Sequence, residues 1–342
     1  MTILFLNHDF FEYDKAIKEQ LSGMGHNILS YKYVKLPNHL EMVKCRNEDS
    51  VAYRMACSNK QKHILKDIKR KKIYIDAVLV TAGHMLEEDT LIALKEMYPN
   101  ARFVWYLWDN VASIACYETN RRYFDKIVSF DKIEAKERDM EYLPDFYVYE
   151  KKNIRKIYDL SYVGTYRKER EEIIEQLVQS DSLKNNLIYL YQKINYGLLD
   201  YLYKVYAKIM RRPDSSKGKD YYDKRLSYRE TVDIMAQSRI VLDICYSFQT
   251  GLSMRPFEAM ATRSKLITTN KNIVKYDFYN PNNIMVIDAD NVTAIPDWFV
   301  RSKYEDVDDD ILSKYSIQAW CKTMMEYLTA EEKDYDGREK MF

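Results

Sequence analysis

Three stretches of this chain hold residue types that could act together on a ligand. In the first, His8, Asp9, His84 and Asp109 each stand just past an apolar run. A His or Asp there can take a proton from a hydroxyl group. The same residues at strand ends also serve as helix caps and turn formers. All five histidines fall within the first 84 residues, so chemistry that needs imidazole must use this half.

The second stretch is YDLSYVGTYRKERE. Gly164 permits close backbone approach, and Arg167 and Lys168 stand where the next helix begins. A helix start with free N–H groups attracts anions, and adjacent cations strengthen it. The third stretch is YSFQTGLSMRPFEAMATRSKLITTN. It places Gln249, Thr250 and Gly251 beyond the apolar run RIVLDIC, then Arg255 and Glu258 in the first turns of a helix. Pro256 suits such a start. An arginine there can hold phosphate, and a carboxylate can take the vicinal hydroxyls of a ribose. Acidic groups also favour helix starts for purely local reasons. Thr269 and Asn270 end the next apolar run.

These residues need elements to hold them. Runs at 2–6, 27–33, 76–81, 102–107 and 126–130 read as buried parallel strands. Helical patterns lie between them, at 13–21, 48–71 and 86–97. The alternation restarts after the charged segment 149–156. Strands are predicted at 160–163, 187–191, 239–245, 265–268 and 284–287, with helices at 170–178, 254–262 and 315–328. A repeated β-α order argues for doubly wound parallel sheets, which bind ligands beyond the carboxyl ends of their strands.

Composition excludes several classes. The formal net charge is +1, so nothing points to nucleic acid. There is no run of about 18 apolar residues and no secretory leader pattern. Five scattered cysteines without a CxxC argue against a disulfide framework or a cysteine zinc site. A cytoplasmic location is expected. Eight glycines in 342 residues leave no glycine-rich phosphate loop. Gly23-x-Gly25 precedes a strand, the reverse of a dinucleotide fingerprint, and Asp288-Ala289-Asp290 is expected simply to end a strand. Two basic amphipathic stretches, 60–72 and 198–212, could lie on an anionic membrane surface or pack on their own sheets.

The stretch DLSYVGTYRKERE, with SYRETVDIMAQSRIVLDICYSFQTGLSMRPFEAMATRSKLITTNKNIVKYDFYNPNNI, resembles the C-terminal domain of GT-B-fold glycosyltransferases. It is most similar to the bacterial group that builds capsular polysaccharide and lipopolysaccharide. YLWDNV and YFDKIVSFDKIEAKERDMEYLPDFY are similar to that group in the first half. The resemblance implies two Rossmann-like domains facing across a cleft. They would be an acceptor domain over 1–152 and a nucleotide-sugar donor domain over 153–330, with a charged tail at 331–342. It implies a glycan or lipid-linked glycan acceptor at the inner face of the plasma membrane, no metal and no cofactor beyond the donor itself. Glu258 matches the second of two glutamates carried by many retaining members. The place of the first is taken by Thr250, beside Gln249, so a retaining mechanism does not follow. A general base would come from Asp109, His84, His8 or Asp9. Two other functions fit the same fold: a non-catalytic scaffold or regulator of glycan assembly, and a nucleotide-sugar epimerase.

Overall fold

The computed structural model describes residues 1–8, 12–34, 51–191, 220–222, 225–292 and 294–330. Asp9, the basic stretch 198–212 and the tail 331–342 lie outside the described residues.

The first domain runs β1 (Thr2–Asn7), α1 (Tyr13–Gly23), β2 (Asn27–Lys32), α2 (Val51–Lys71), β3 (Ala77–Thr81) and α3 (Glu88–Met97). It continues with β4 (Arg102–Leu107), α4 (Tyr117–Asn120), β5 (Lys126–Ser129), α5 (Lys132–Glu137) and β6 (Glu141–Tyr142). The second domain begins β7 (Tyr158–Thr165), α6 (Lys168–Leu177), β8 (Asn186–Tyr191), β9 (Asp220–Tyr222), α7 (Tyr228–Ala236) and β10 (Ser238–Asp243). Then follow α8 (Met254–Ala261), β11 (Lys265–Thr268), β12 (Ile284–Val286), α9 (Asp297–Arg301), α10 (Asp309–Lys314) and α11 (Ile317–Thr329).

Each domain is one six-stranded sheet, in the orders β2-β1-β3-β4-β5-β6 and β12-β11-β10-β7-β8-β9. Every pairing is parallel. Helices cover both faces, so both sets of alternating side chains must be apolar. In β1, Ile3 and Phe5 face α1, while Leu4 and Leu6 face the core shared with Ile64 and Ile68 of α2. The second sheet divides likewise: Leu160, Ile240 and Leu242 pack with α6, and Val241 and Leu266 with Phe257 and Met260 of α8.

The helix expected at 315–328 forms, but not in the expected domain. Trp320, Met324 and Leu328 of α11 pack on the first sheet with Ile3, Phe5 and Tyr106. The Trp320 and Tyr106 rings meet edge to face, centroids 4.9 Å apart. The chain therefore crosses between the domains twice. The two crossings lie side by side: Tyr147 N donates to Tyr315 O at 2.9 Å, and Ile317 N to Tyr147 O at 2.9 Å. An amphipathic stripe dictates that a helix must cover an apolar surface, and here the uncovered surface belonged to the first sheet.

The apolar stripe of α2 also turns inward. Tyr53, Cys57, Ile64 and Ile68 are buried, whereas Lys62, Lys66, Lys69 and Arg70 are exposed. Among the described residues no helix is long and apolar enough to cross a membrane. Trp320→Ala should cost about 3–5 kcal/mol of unfolding free energy. Urea titration followed by fluorescence checks this; a loss below about 1 kcal/mol would show that α11 is not part of the first core.

Candidate functional site

The carboxyl edges of the two sheets meet. Asp131, just beyond β5, accepts a hydrogen bond at 2.7 Å from the backbone N–H of Gly251, beyond β10. Tyr13, at the start of α1, donates at 2.5 Å to Glu258 of α8. Strand-end residues of the two domains thus meet at one boundary.

On the first sheet's edge, the structure brings three of the four base candidates together. His84 Nε2 lies 3.0 Å from Asp109 Oδ2. The His8 ring sits 6.5 Å from that of His84, edge to face. The His84 side chain is 29% exposed and that of Asp109 49%, so the pair is open to solvent. The backbone carrying His84 is unusual. Ala82, Gly83 and Met85 all have positive φ, at 66°, 98° and 61°. Such conformations cost free energy for residues with a Cβ and persist only where neighbours hold them. The holding contacts are buried: Tyr33 OH accepts from Gly83 N at 2.7 Å and donates to Thr81 O at 3.1 Å, and Trp105 Nε1 donates to Ala82 O at 3.1 Å. Gly83 cannot be replaced, because a Cβ would lie 2.2 Å from the Trp105 ring.

On the second sheet's edge, Arg167 takes the N-cap position of α6. Its guanidinium stacks 3.8 Å from the Tyr246 ring centroid, with that of Arg170 at 5.8 Å. Burial first, and then repulsion from Arg170, lowers the Arg167 pKa. No carboxylate pairs with either arginine among the described residues. Tyr246 stacks in turn on exposed Phe248, centroids 5.0 Å apart. Lys168 turns away to the surface and pairs with Glu172. Gly164 is required by its own sheet, since a Cβ there would lie 2.6 Å from the Tyr162 hydroxyl.

The remaining residues of the third stretch bind one another or the ends of the neighbouring strands. Asp243, buried at the end of β10, accepts from Arg255 Nη1 at 3.2 Å and Thr268 Oγ1 at 3.0 Å. Arg255 Nη2 donates to Val163 O at 2.7 Å. Gly251 O accepts from Gln249 Nε2 at 3.0 Å and from Asn270 Nδ2 at 2.9 Å. Thr269 Oγ1 accepts from Cys245 N at 3.1 Å. Asp288 accepts from Asp290 N at 3.1 Å and from Lys271 Nζ at 3.0 Å, a turn beyond β12.

Glu258 is only 4% exposed. Burial pushes its pKa up, opposed by the hydrogen bonds of Tyr13 and Tyr228 and the charge of Arg255. A ribose could reach this carboxylate only if Tyr13 moved. Asp131 is fully buried too, but hydrogen bonds from Thr250, Asn110, Glu134 N and Gly251 N outweigh burial and lower its pKa.

Sequence reasoning missed Tyr13, Asp131, Arg170, Asp243, Tyr246 and Phe248. A signal existed for Asp131, because Asp-x-x-Glu before a helical pattern marks an N-cap. Asp131 does cap α5, accepting from Ile133 N and Glu134 N.

No family model matches the chain, and no curated protein matches it in sequence. Solved structures do match. T4 phage β-glucosyltransferase aligns over 96% of this chain and 100% of its own, at 13% identity and TM-score 0.51. The fold is GT-B. Methanocaldococcus jannaschii UDP-GlcNAc 2-epimerase, solved with UDP-GlcNAc and UDP, aligns over 96% and 99%, at 11% identity and TM-score 0.54. Anabaena HepE, solved with UDP-glucose, aligns over 96% and 99%, at 11% identity and TM-score 0.52. A transferase and an epimerase share this GT-B frame, so the frame alone does not choose a reaction.

Glu258 yields a stability prediction. A carboxyl whose folded pKa is raised is penalised when ionised, so at pH 7 its charge subtracts stability. Glu258→Gln keeps an acceptor for the tyrosine hydroxyls and removes the charge. It should match or exceed the parent in stability at pH 7. Glu258→Ala strands both hydroxyls and should lose about 2–3 kcal/mol. Chemical denaturation of the two variants checks the order; equal losses would contradict it.

Proposed function

We propose that this chain is a glycosyltransferase that moves a sugar from a nucleotide-sugar to a hydroxyl of a surface glycan or its lipid-linked precursor. The observation that carries this reading is that the two carboxyl edges, each with its own charged groups, are joined by direct contacts. Two guanidiniums that form no ion pair among the described residues lie on one edge, and a partly exposed His–Asp pair lies on the other.

In this reading the donor diphosphate lies against Arg167 and Arg170, at the start of α6. Their charge offsets the negative charge that grows on the leaving nucleoside diphosphate, the part a metal plays elsewhere. The acceptor hydroxyl loses its proton to the His84–Asp109 pair. Its oxygen attacks the anomeric carbon as the bond from that carbon to the phosphate oxygen breaks. Direct displacement needs no acid at position 250, where a threonine stands. The exposed basic face of α2 supports peripheral association with an anionic membrane, by charge and without insertion, because the apolar stripe is already buried.

A non-catalytic role is favoured by one observation. Both the 249–251 loop and Glu258 are engaged by first-domain side chains.

Three outcomes are expected. His84→Ala and Asp109→Asn should each cut the turnover of nucleotide-sugar to nucleoside diphosphate by about 10²–10⁴-fold. Nucleoside-diphosphate affinity by calorimetry should not change; unaltered turnover would remove the pair from the reaction. In a thermal-shift screen, at least one of UDP, GDP, CDP, ADP and dTDP should raise the melting midpoint, whereas no shift with any would favour the non-catalytic role. The parent should also sediment with anionic liposomes at low salt, and Lys62, Lys66 and Lys69 changed together to Glu should not.

A further inference from the structure

Asp131 divides its carboxylate between two tasks. Oδ1 accepts from Ile133 N at 3.0 Å and Glu134 N at 3.3 Å, which caps α5. Oδ2 accepts from Asn110 Nδ2 at 3.0 Å, from Gly251 N at 2.7 Å and from the Thr250 hydroxyl. The last two donors belong to the second domain. A backbone N–H and a hydroxyl in the loop between a parallel strand and its following helix are the kind of donors with which such sheets hold anionic ligands. Here a carboxylate from the opposite domain occupies them.

The loop does not need Asp131 for its shape. Gln249 and Asn270 hold Gly251 O from within the second domain. The contact is also close enough to require glycine, since a Cβ on Gly251 would lie 2.7 Å from the Phe130 ring and 2.9 Å from Asp131 Cα.

We propose that Asp131 is a latch: its carboxylate stands in for the anionic group of a ligand at Thr250 and Gly251, and ligand entry displaces it. The class of ligand, a nucleoside diphosphate, rests on the glycosyltransferase reading. Binding then includes the cost of breaking a charge-assisted contact across the cleft, and the displaced first-domain edge is free to move.

Two substitutions separate the latch from the cap. Asp131→Ser still caps a helix well but is too short to reach Gly251. Asp131→Asn can satisfy the cap or the latch with its single oxygen, not both. Hydrogen exchange at Gly251 in the ligand-free proteins should quicken about tenfold or more in Asp131→Ser, the loss of roughly one charge-assisted hydrogen bond. Asp131→Asn, measured alongside, covers the case in which the serine variant does not fold. Affinity for the nucleoside diphosphates, by calorimetry, should rise about tenfold. Unchanged exchange at Gly251 overturns the latch whatever the nucleotides do. Faster exchange with equal or weaker affinity overturns displacement by the ligand. If no diphosphate binds parent or variants, the nucleotide-sugar reading falls, and exchange alone still decides whether the carboxylate holds the loop.

Discussion

Parallel sheets put their functional loops on one edge, and in this chain two such edges are joined by buried polar contacts. Asp131 to Gly251 and Tyr13 to Glu258 span the boundary, with Tyr228, Trp108 and Phe146 packed around Tyr13. Nearly everything at the site depends on that seam. It joins the edge that carries His84 and Asp109 to the edge that carries Arg167 and Arg170, and it keeps Glu258 dry. The double crossing of the chain at Tyr147 and Ile317 reinforces it, because α11 returns to complete the first core. The cost is two carboxyls removed from water, and they resolve it oppositely. Asp131 collects enough donors to stay ionised, and Glu258 is pushed toward its neutral form.

Scarce glycine takes on a different meaning once the packing is known. Gly83 makes room for the Trp105 ring, Gly164 for the Tyr162 hydroxyl, and Gly251 for Phe130 and Asp131. Gly83 and Gly164 are not spare backbone waiting for phosphate, and the Gly251 N–H is engaged by Asp131. In the function proposed, anionic charge is held by arginine side chains steadied on an aromatic ring, a stiffer device than a glycine cradle.

The long strands were legible because burial on both faces forces continuous apolar runs, as in 77–81 and 102–107. β6 (Glu141–Tyr142) and β9 (Asp220–Tyr222) hold no apolar run to leave such a trace, whereas β12, with Ile284, Met285 and Val286, does. The α11 stripe was legible, but a stripe says that a helix packs and not on which sheet. At the site, His84 and Asp109 could be placed at strand ends from sequence, while their 3.0 Å approach depends on the pairing of β3 with β4. Glu258 was legible as a carboxylate at a helix start. Its burial under Tyr13 was not, since the two lie 245 positions apart. Asp131 carried a capping signature, and nothing local could reveal its second set of donors.

In the function proposed, a nucleotide-sugar binds the second domain's edge with its reacting end toward His84 and Asp109. A crystal structure of the protein with a bound nucleoside diphosphate tests this most directly. Diphosphate density is expected against Arg167 and Arg170 at the end of β7, with Asp131 withdrawn from Gly251. Diphosphate bound at the first sheet's edge, beside His84, would contradict it.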